Sequence, residues 1–233
     1  MKKHIRVRSI IGPLLAAAMA TSVSASTTLF SDLGSGGTAY STTNGWSIAG
    51  SSSTTGTTVG NAQLFTVAGS GSQAVSQIDL AVLFAGGANS NTFTAAIWTN
   101  VAGFPGTQVT GAFWSLSTTA NPGTCCSLVS VTGISGVTLI GGNSYFLVLQ
   151  PVSNSDNSFT SLMYNTVGVT GTEDYSFNGG KTWGSNGTQT LGAFDVLSGA
   201  AAPTPEPATF ALLGTGIALL GFRKQWGKFL RIP

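Results

Sequence analysis

The sequence predicts an all-β fold, a single two-sheet sandwich with jelly-roll-like connections over residues 62–199. Short runs of alternating apolar residues recur along this part of the chain. Turn sequences containing Gly and Pro separate the runs, and no stretch between residues 26 and 202 keeps the 3.6-residue period of a helix. A short hydrophobic segment flanks the predicted sandwich on each side.

The first hydrophobic segment, residues 1–25, has the layout of a secretory signal peptide. Four basic residues precede an apolar run from Ile10 to Ala20, which is too short to span a bilayer as a helix. Small residues at Val23-Ser24-Ala25 predict that signal peptidase cuts after Ala25. The mature chain is then expected to begin at Ser26 and to be exported.

Residues 26–61 form a Ser-, Thr- and Gly-rich segment ahead of the predicted sandwich. Within this segment, residues 41–60 show no apolar periodicity, which is typical of a loop or of a lightly structured edge strand, and both alternatives stay open. We therefore expect the sandwich itself to begin at Ala62.

From Ala62 onward the pattern is that of β-strands. Ile78, Leu80, Val82 and Phe84 share one face of a strand. In the next run Phe93, Ala95 and Ile97 share one face, and Trp98 points to the other. Residues 145–149 are apolar on both faces, which is typical of a central strand between two layers. Further strands are predicted at 63–68, 127–132, 136–140, 160–165 and 191–197, and turns at 104–106 and 121–123.

The composition excludes several classes of function. Only 7% of the residues are charged, against about a quarter in soluble domains. Between residues 26 and 202, Lys181 is the only basic residue and stands against six acids, so this part cannot bind a nucleic-acid backbone. The single histidine, His4, lies in the signal segment, which leaves no imidazole for catalysis or metal binding. We predict no catalytic residues and no enzyme activity.

Two features of the body bear on metals and redox chemistry. The adjacent Cys125 and Cys126 are compatible with free thiols in a turn, which we favour, with a strained disulfide, or with a link to another chain. Residues 154–157 and the pair Glu173-Asp174 provide oxygen ligands on predicted loops, so a structural calcium ion is an open alternative. No other metal or cofactor is predicted.

The aromatic side chains are the candidates for ligand binding, since sugar rings stack on flat aromatic faces. The alternative is that these side chains fill the interior of the sandwich or its rims. The candidates are Trp98, Trp114, Trp183, Tyr164 and Tyr175.

The C-terminal segment has three parts behind a small-residue and proline linker at 200–204. Pro205, Glu206 and Pro207 come first, then residues 208–222 without a charge, then the basic pair Arg223 and Lys224. The uncharged run predicts a short transmembrane helix that crosses the inner membrane transiently, with the basic pair held on the cytoplasmic side.

This segment resembles the PEP-CTERM sorting signal, which has the same motif, helix and basic cluster over residues 205–224. The resemblance implies processing by a membrane-embedded exosortase near Pro205-Glu206-Pro207, in a Gram-negative bacterium that usually makes exopolysaccharide. The basic and aromatic extension at 225–233 departs from most such tails.

A weaker resemblance covers much of residues 60–198. The runs at 62–67, 93–98 and 103–107, with the later runs at 178–183 and 192–196, are similar to choice-of-anchor β-sandwich modules. That resemblance implies an extracellular sandwich without a settled activity.

We therefore expect an exported, non-catalytic protein of the cell surface or extracellular matrix that associates with exopolysaccharide in a biofilm. One alternative is a carbohydrate-binding module with a specific glycan ligand. The other is a purely structural protein that associates with itself.

Overall fold

The computed structural model describes residues 27–85, 91–118 and 125–199, which form thirteen β-strands and no helix. Two antiparallel sheets contain these strands and pack face to face as a sandwich. The predicted all-β sandwich is thereby confirmed. The strands are β1 (Thr27–Ser31), β2 (Tyr40–Ala49), β3 (Gly60–Thr66), β4 (Gly71–Phe84), β5 (Thr92–Val101), β6 (Phe104–Ser117), β7 (Ser127–Thr132), β8 (Thr138–Gly141), β9 (Ser144–Gln150), β10 (Phe159–Asn165), β11 (Thr170–Ser176), β12 (Gly184–Thr190) and β13 (Phe194–Ser198).

The first sheet follows the order β1-β13-β4-β10-β2, and β7 and β8 also pair with β4. β4 is 14 residues long and pairs with four strands, β7, β8, β10 and β13. Its alternating apolar residues Ile78, Leu80 and Val82 all lie in the core, as the sequence predicts. β2 is an edge strand whose backbone pairs with β10.

The second sheet follows the order β12-β11-β3-β9-β5-β6. β9 lies between β3 and β5, which confirms the central strand predicted at residues 145–149. Leu147 and Leu149 point into the core between the sheets, whereas Phe146 and Val148 pack on the outer face of the same sheet. The strand is apolar on both faces because both are covered.

The main core lies between the two sheets. Ile78, Leu80 and Phe194 from the first sheet meet Phe65 and Leu147 from the second, and all of them are buried. Phe65 and Phe194 pack edge to face, with ring centroids 5.6 Å apart.

Residues 27–49, which the sequence analysis separated from the sandwich, contribute two strands to its first sheet. β1 pairs with β13, and β2 pairs with β10. Leu29 and Ile48 are buried in the main core. The Ser- and Thr-rich sequence hides these strands because most of the other β2 side chains are exposed or half-buried, and backbone pairing holds the strand in place.

The predicted turn at residues 104–106 is wrong. The chain reverses one step earlier, at Ala102 and Gly103, which both have positive φ (54° and 90°), as a two-residue hairpin turn requires. Pro105 lies within β6 and pairs with Asn100 of β5. Proline fits there because β6 is the edge strand of its sheet.

Several sequence predictions fall outside the described residues. They are the signal peptide at 1–25 with its cleavage after Ala25, the turn at 121–123, the linker at 200–204, the sorting motif at Pro205-Glu206-Pro207, the helix at 208–222, the basic pair Arg223-Lys224 and the tail at 225–233.

Candidate functional site

A cleft of about 410 Å³ opens between the two sheets, at the edge formed by β2 and β10 on one side and by β3, β11 and β12 on the other. Residues of these five strands line it, together with Val59 and Phe177 from outside the strands. Aromatic groups form its walls, and amides with one carboxyl group form its floor. The lining residues are Gly45, Trp46, Ser47, Val59, Asn61, Tyr164, Glu173, Tyr175, Phe177 and Asn186.

Trp46 and Tyr164 form the wall that belongs to the first sheet. Their ring centroids are 5.1 Å apart and the rings meet edge to face at 62°. Trp46 lies opposite Leu162 in the register of β2 and β10, and its Nε1–H donates to the backbone carbonyl of Thr190 over 2.9 Å. This bond fixes the orientation of the indole across the gap between the sheets.

Tyr175 and Phe177 form the opposite wall. Their ring centroids are 5.1 Å apart, and the planes are tilted by 45°. Phe177 is 59% exposed. The two walls together present four aromatic rings to one space.

The floor is a hydrogen-bonded network centred on Glu173. The Nδ2 groups of Asn61 and Asn186 donate to its two carboxylate oxygens, one to each. Gln63 donates in turn to Asn61, and the backbone N–H of Gly192 donates to Gln63 Oε1 over 3.0 Å. Strands β3, β11 and β12 are thereby joined beneath the cleft.

Burial is the main influence on the titration of this floor. The pKa of Glu173 is raised to about 7, chiefly by burial and also by the neighbouring charge of Asp174, against the lowering effect of the hydrogen bonds from Asn186 and Asn61. Burial also raises the pKa of Tyr164, as does the charge of Glu173.

Glu173 and Asp174 were placed on a predicted loop as candidate calcium ligands, and this placement is wrong. Both lie within β11, paired with β3 on one side and β12 on the other, and both are fully buried. Because side chains alternate along a strand, Asp174 lies on the outer face, next to Ser185, whereas Glu173 faces the cleft. The pair therefore cannot chelate one calcium ion.

The other predicted calcium segment, residues 154–157, uses its oxygens for the fold. The carbonyl oxygen of Asn154 accepts from Ser51 N–H and from the Thr58 hydroxyl. Asp156 Oδ1 accepts from the N–H of Asn157 over 2.7 Å. Within residues 27–85, 91–118 and 125–199, no three acidic, Cys or His side chains lie close enough to hold a metal ion.

A separate acidic group lies at the junction of β1, β4 and β13. Asp195 of β13 lies directly opposite Asp79 of β4. The charge of Asp195 also raises the pKa of Asp32. Asp32 is 1% exposed, accepts the Phe194 N–H over 2.6 Å, and has its pKa raised to about 8, chiefly by burial. Lys181 is the only Lys or Arg among the residues that the structure describes. The three carboxyl groups of Asp32, Asp79 and Asp195 therefore cannot each be neutralised by a basic side chain.

The five aromatic residues predicted from the sequence occupy three places. Tyr164 and Tyr175 meet in the cleft. Trp98 and Trp183 meet on the outer face of the second sheet, with centroids 6.2 Å apart, and pack on an apolar patch that includes Phe146. Trp114 packs against the main core, as the alternative of an interior role predicted.

Sequence reasoning missed most of the cleft. Trp46 and Phe177 were not selected, and neither were Asn61 and Asn186. One local signal for Trp46 exists, since Trp46 and Ile48 alternate with small polar residues within the Ser- and Thr-rich segment. Asn61 and Asn186 carry no such signal, because each depends on its hydrogen bond to Glu173. Asn61 is more than a hundred residues from Glu173 along the chain.

Cys125 and Cys126 are joined in a disulfide bond, which corrects the favoured prediction of free thiols. The strained disulfide was among the alternatives. Cys126 packs beside Leu33 and Met163 on the outer face of the first sheet, away from the cleft.

One segment of the chain matches a known protein family. A family model described as the PEP-CTERM protein-sorting motif matches residues 203–225. No curated protein and no solved structure matches the chain, so the resemblance of the body to choice-of-anchor modules gains no support. The motif implies export to the envelope or surface of a Gram-negative bacterium through exosortase sorting. In the part of the chain that the structure describes, no helix has the length and apolar character needed to cross a membrane.

Proposed function

We propose that this chain is a non-catalytic protein of the cell surface or extracellular matrix, sorted to its site by exosortase processing and associated with exopolysaccharide through the cleft. The observation that supports glycan binding is the meeting of four aromatic rings with the exposed amide of Asn186 around one open space. The sorting motif at 203–225 supports the location.

The chemistry of the cleft suits a sugar. Aromatic faces pack against the apolar face of a pyranose ring, and amide and phenol groups match its hydroxyls. The cleft of about 410 Å³ falls within the range of about 300–1,000 Å³ typical of small-ligand sites.

The same cleft favours binding over hydrolysis. Glycoside hydrolysis requires two carboxyl groups about 5–10 Å apart on either side of the bond that is broken. Among the residues that line the cleft, Glu173 is the single acid, and Asp174 points to the other face of the strand. No cofactor is part of the proposal, and signal peptidase and exosortase are its processing partners.

A purely structural, self-associating protein is the second candidate. Phe104 and Phe113 are 43% and 51% exposed on the edge strand β6. An exposed edge with apolar side chains is suited to pairing with another copy.

Binding of the purified full chain to the producer's exopolysaccharide, with and without calcium, tests the proposal. Phe177→Ala and Phe113→Ala are a matched pair, because both remove an exposed phenylalanine and only Phe177 lines the cleft. We expect saturable binding in both conditions, weakened by Phe177→Ala and unchanged by Phe113→Ala. Absence of binding by the wild-type chain would contradict the proposal, and concentration-dependent association lost in Phe113→Ala would favour the structural candidate.

A further inference from the structure

We propose that the cleft selects glycans that carry protonated amino groups over their neutral and acidic counterparts. The inference rests on the proposed function and names the ligand class of the same site. Its basis is the position of Glu173 beneath four aromatic rings, with no basic side chain among the residues that line the cleft.

Among the residues that the structure describes, no basic side chain lies beside the Glu173 carboxyl group. Its hydrogen-bond donors are the neutral amides of Asn61 and Asn186. Lys181 is the only basic residue in the described chain, is exposed, and is not part of the cleft lining. A carboxylate removed from water in this way is costly until a cation compensates it.

The titration of Glu173 agrees with this geometry. Burial raises its pKa to about 7, so the ionised form is disfavoured in the empty cleft. A cationic ligand favours the ionised form and lowers this pKa on binding, whereas a uronic acid or a sulfate places a like charge nearby. Because Glu173 is fully buried beneath the amides, we expect its charge to act on the ligand through the field in the cleft.

The aromatic walls add to the same preference. The faces of tryptophan and tyrosine rings attract cations electrostatically, and a site lined by several such rings is suited to ammonium groups. Trp46 and Tyr164 meet edge to face at 5.1 Å, and Tyr175 and Phe177 stand on the opposite wall. A sugar that carries a neutral N-acetyl group can still stack on the aromatic rings, but it lacks the positive charge that the rings and Glu173 attract.

The test compares three oligomers of equal length with the full chain at pH 6.5 and low salt. They are oligomers of glucosamine, of N-acetylglucosamine and of galacturonic acid, and binding is followed by calorimetry. We expect the glucosamine oligomer to bind about tenfold more tightly than the N-acetylated one, and the acidic oligomer to bind weakest. This difference should shrink in 0.5 M salt, because salt screens charge but leaves stacking in place.

Two variants separate charge from stacking. Glu173→Gln should bring the affinities for the two hexosamine oligomers close together, and Phe177→Ala should weaken both. Should Glu173→Gln fail to fold, the effect of salt on the wild-type chain still tests the charge preference. A difference in affinity between the two hexosamine oligomers that does not shrink in 0.5 M salt would contradict it. Equal or tighter binding of the N-acetylated oligomer would overturn the charge preference and leave glycan binding standing. Failure of all three oligomers and of the exopolysaccharide to bind would overturn both proposals.

Discussion

Trp46 in β2 and Thr190 in β12 are joined by a hydrogen bond from the indole Nε1–H to the backbone carbonyl, over 2.9 Å. The two residues are 144 positions apart in the chain and belong to different sheets. The bond therefore ties together the two edges between which the cleft opens, and the same side chain forms one of the aromatic walls.

Replacing Trp46 by Phe separates these two roles. Phenylalanine keeps an aromatic face and loses the N–H, so we expect the free energy of unfolding to fall by about 1 kcal/mol. Trp46→Ala should lose the stacking as well and reduce glycan binding much further. Urea unfolding and calorimetry measure the two effects. An unchanged unfolding midpoint in Trp46→Phe would show that the bond does not stabilise the edge.

The stability of the protein should fall as the pH rises through the neutral range. Burial raises the pKa of Asp32 from 3.8 to about 8 and that of Glu173 from 4.5 to about 7. The unfolded chain loses these protons at the lower values, so the folded state is favoured at low pH and this contribution is lost between about pH 4 and 8. Each pKa unit corresponds to about 1.4 kcal/mol.

Thermal unfolding at a series of pH values from 5 to 8 measures this dependence. Asp32→Asn and Glu173→Gln imitate the protonated forms, so each should flatten the decline of Tm with pH. A wild-type Tm that is constant or rises over this range would contradict the expectation.

Gly45 is required for the close pairing of β2 with β10. A Cβ atom at this position would lie 2.6 Å from the carbonyl oxygen of Leu162 and 2.9 Å from the Cα of Met163. Both contacts are with backbone, so Gly45→Ala should push β2 outward, move Trp46 and destabilise the fold by about 1–3 kcal/mol. Thr43→Ala, at an exposed position of the same strand, is the matched control. Equal unfolding midpoints for the two variants would sink this idea.

Glu206 belongs to the segment that matches the sorting motif. We expect Glu206→Ala to leave export intact and to block processing, so that a larger form accumulates in the membrane fraction. Ala201→Ser, ahead of the matched segment 203–225, is the control. Immunoblots of fractionated cells measure both, and normal processing of Glu206→Ala would show that the motif is not read there.

The start of the mature chain is a separate expectation. N-terminal sequencing of the exported protein should begin at Ser26, because small residues precede that bond. A different first residue would move the cleavage site.

The strands of the core could be predicted from the sequence because their pattern is local. Ile78, Leu80 and Val82 alternate with side chains of the other face, and burial of one face selects this register. β11 and β12 escaped prediction because they contain few apolar residues, as in Gly184–Thr190, and are held by pairing with their neighbours. For the same reason the sequence predicts a loop at Glu173, which lies within β11.

The sequence by itself determined the all-β class, the faces of the central strands and the sorting segment at its C-terminal end. Each of these depends on residues that are close along the chain. Only the tertiary structure decided which aromatic side chains meet, since Trp46, Tyr164 and Asn186 come together across two sheets. It also decided the state of Glu173, because a carboxyl group is exposed or buried according to which strands pack around it, and that depends on the whole chain.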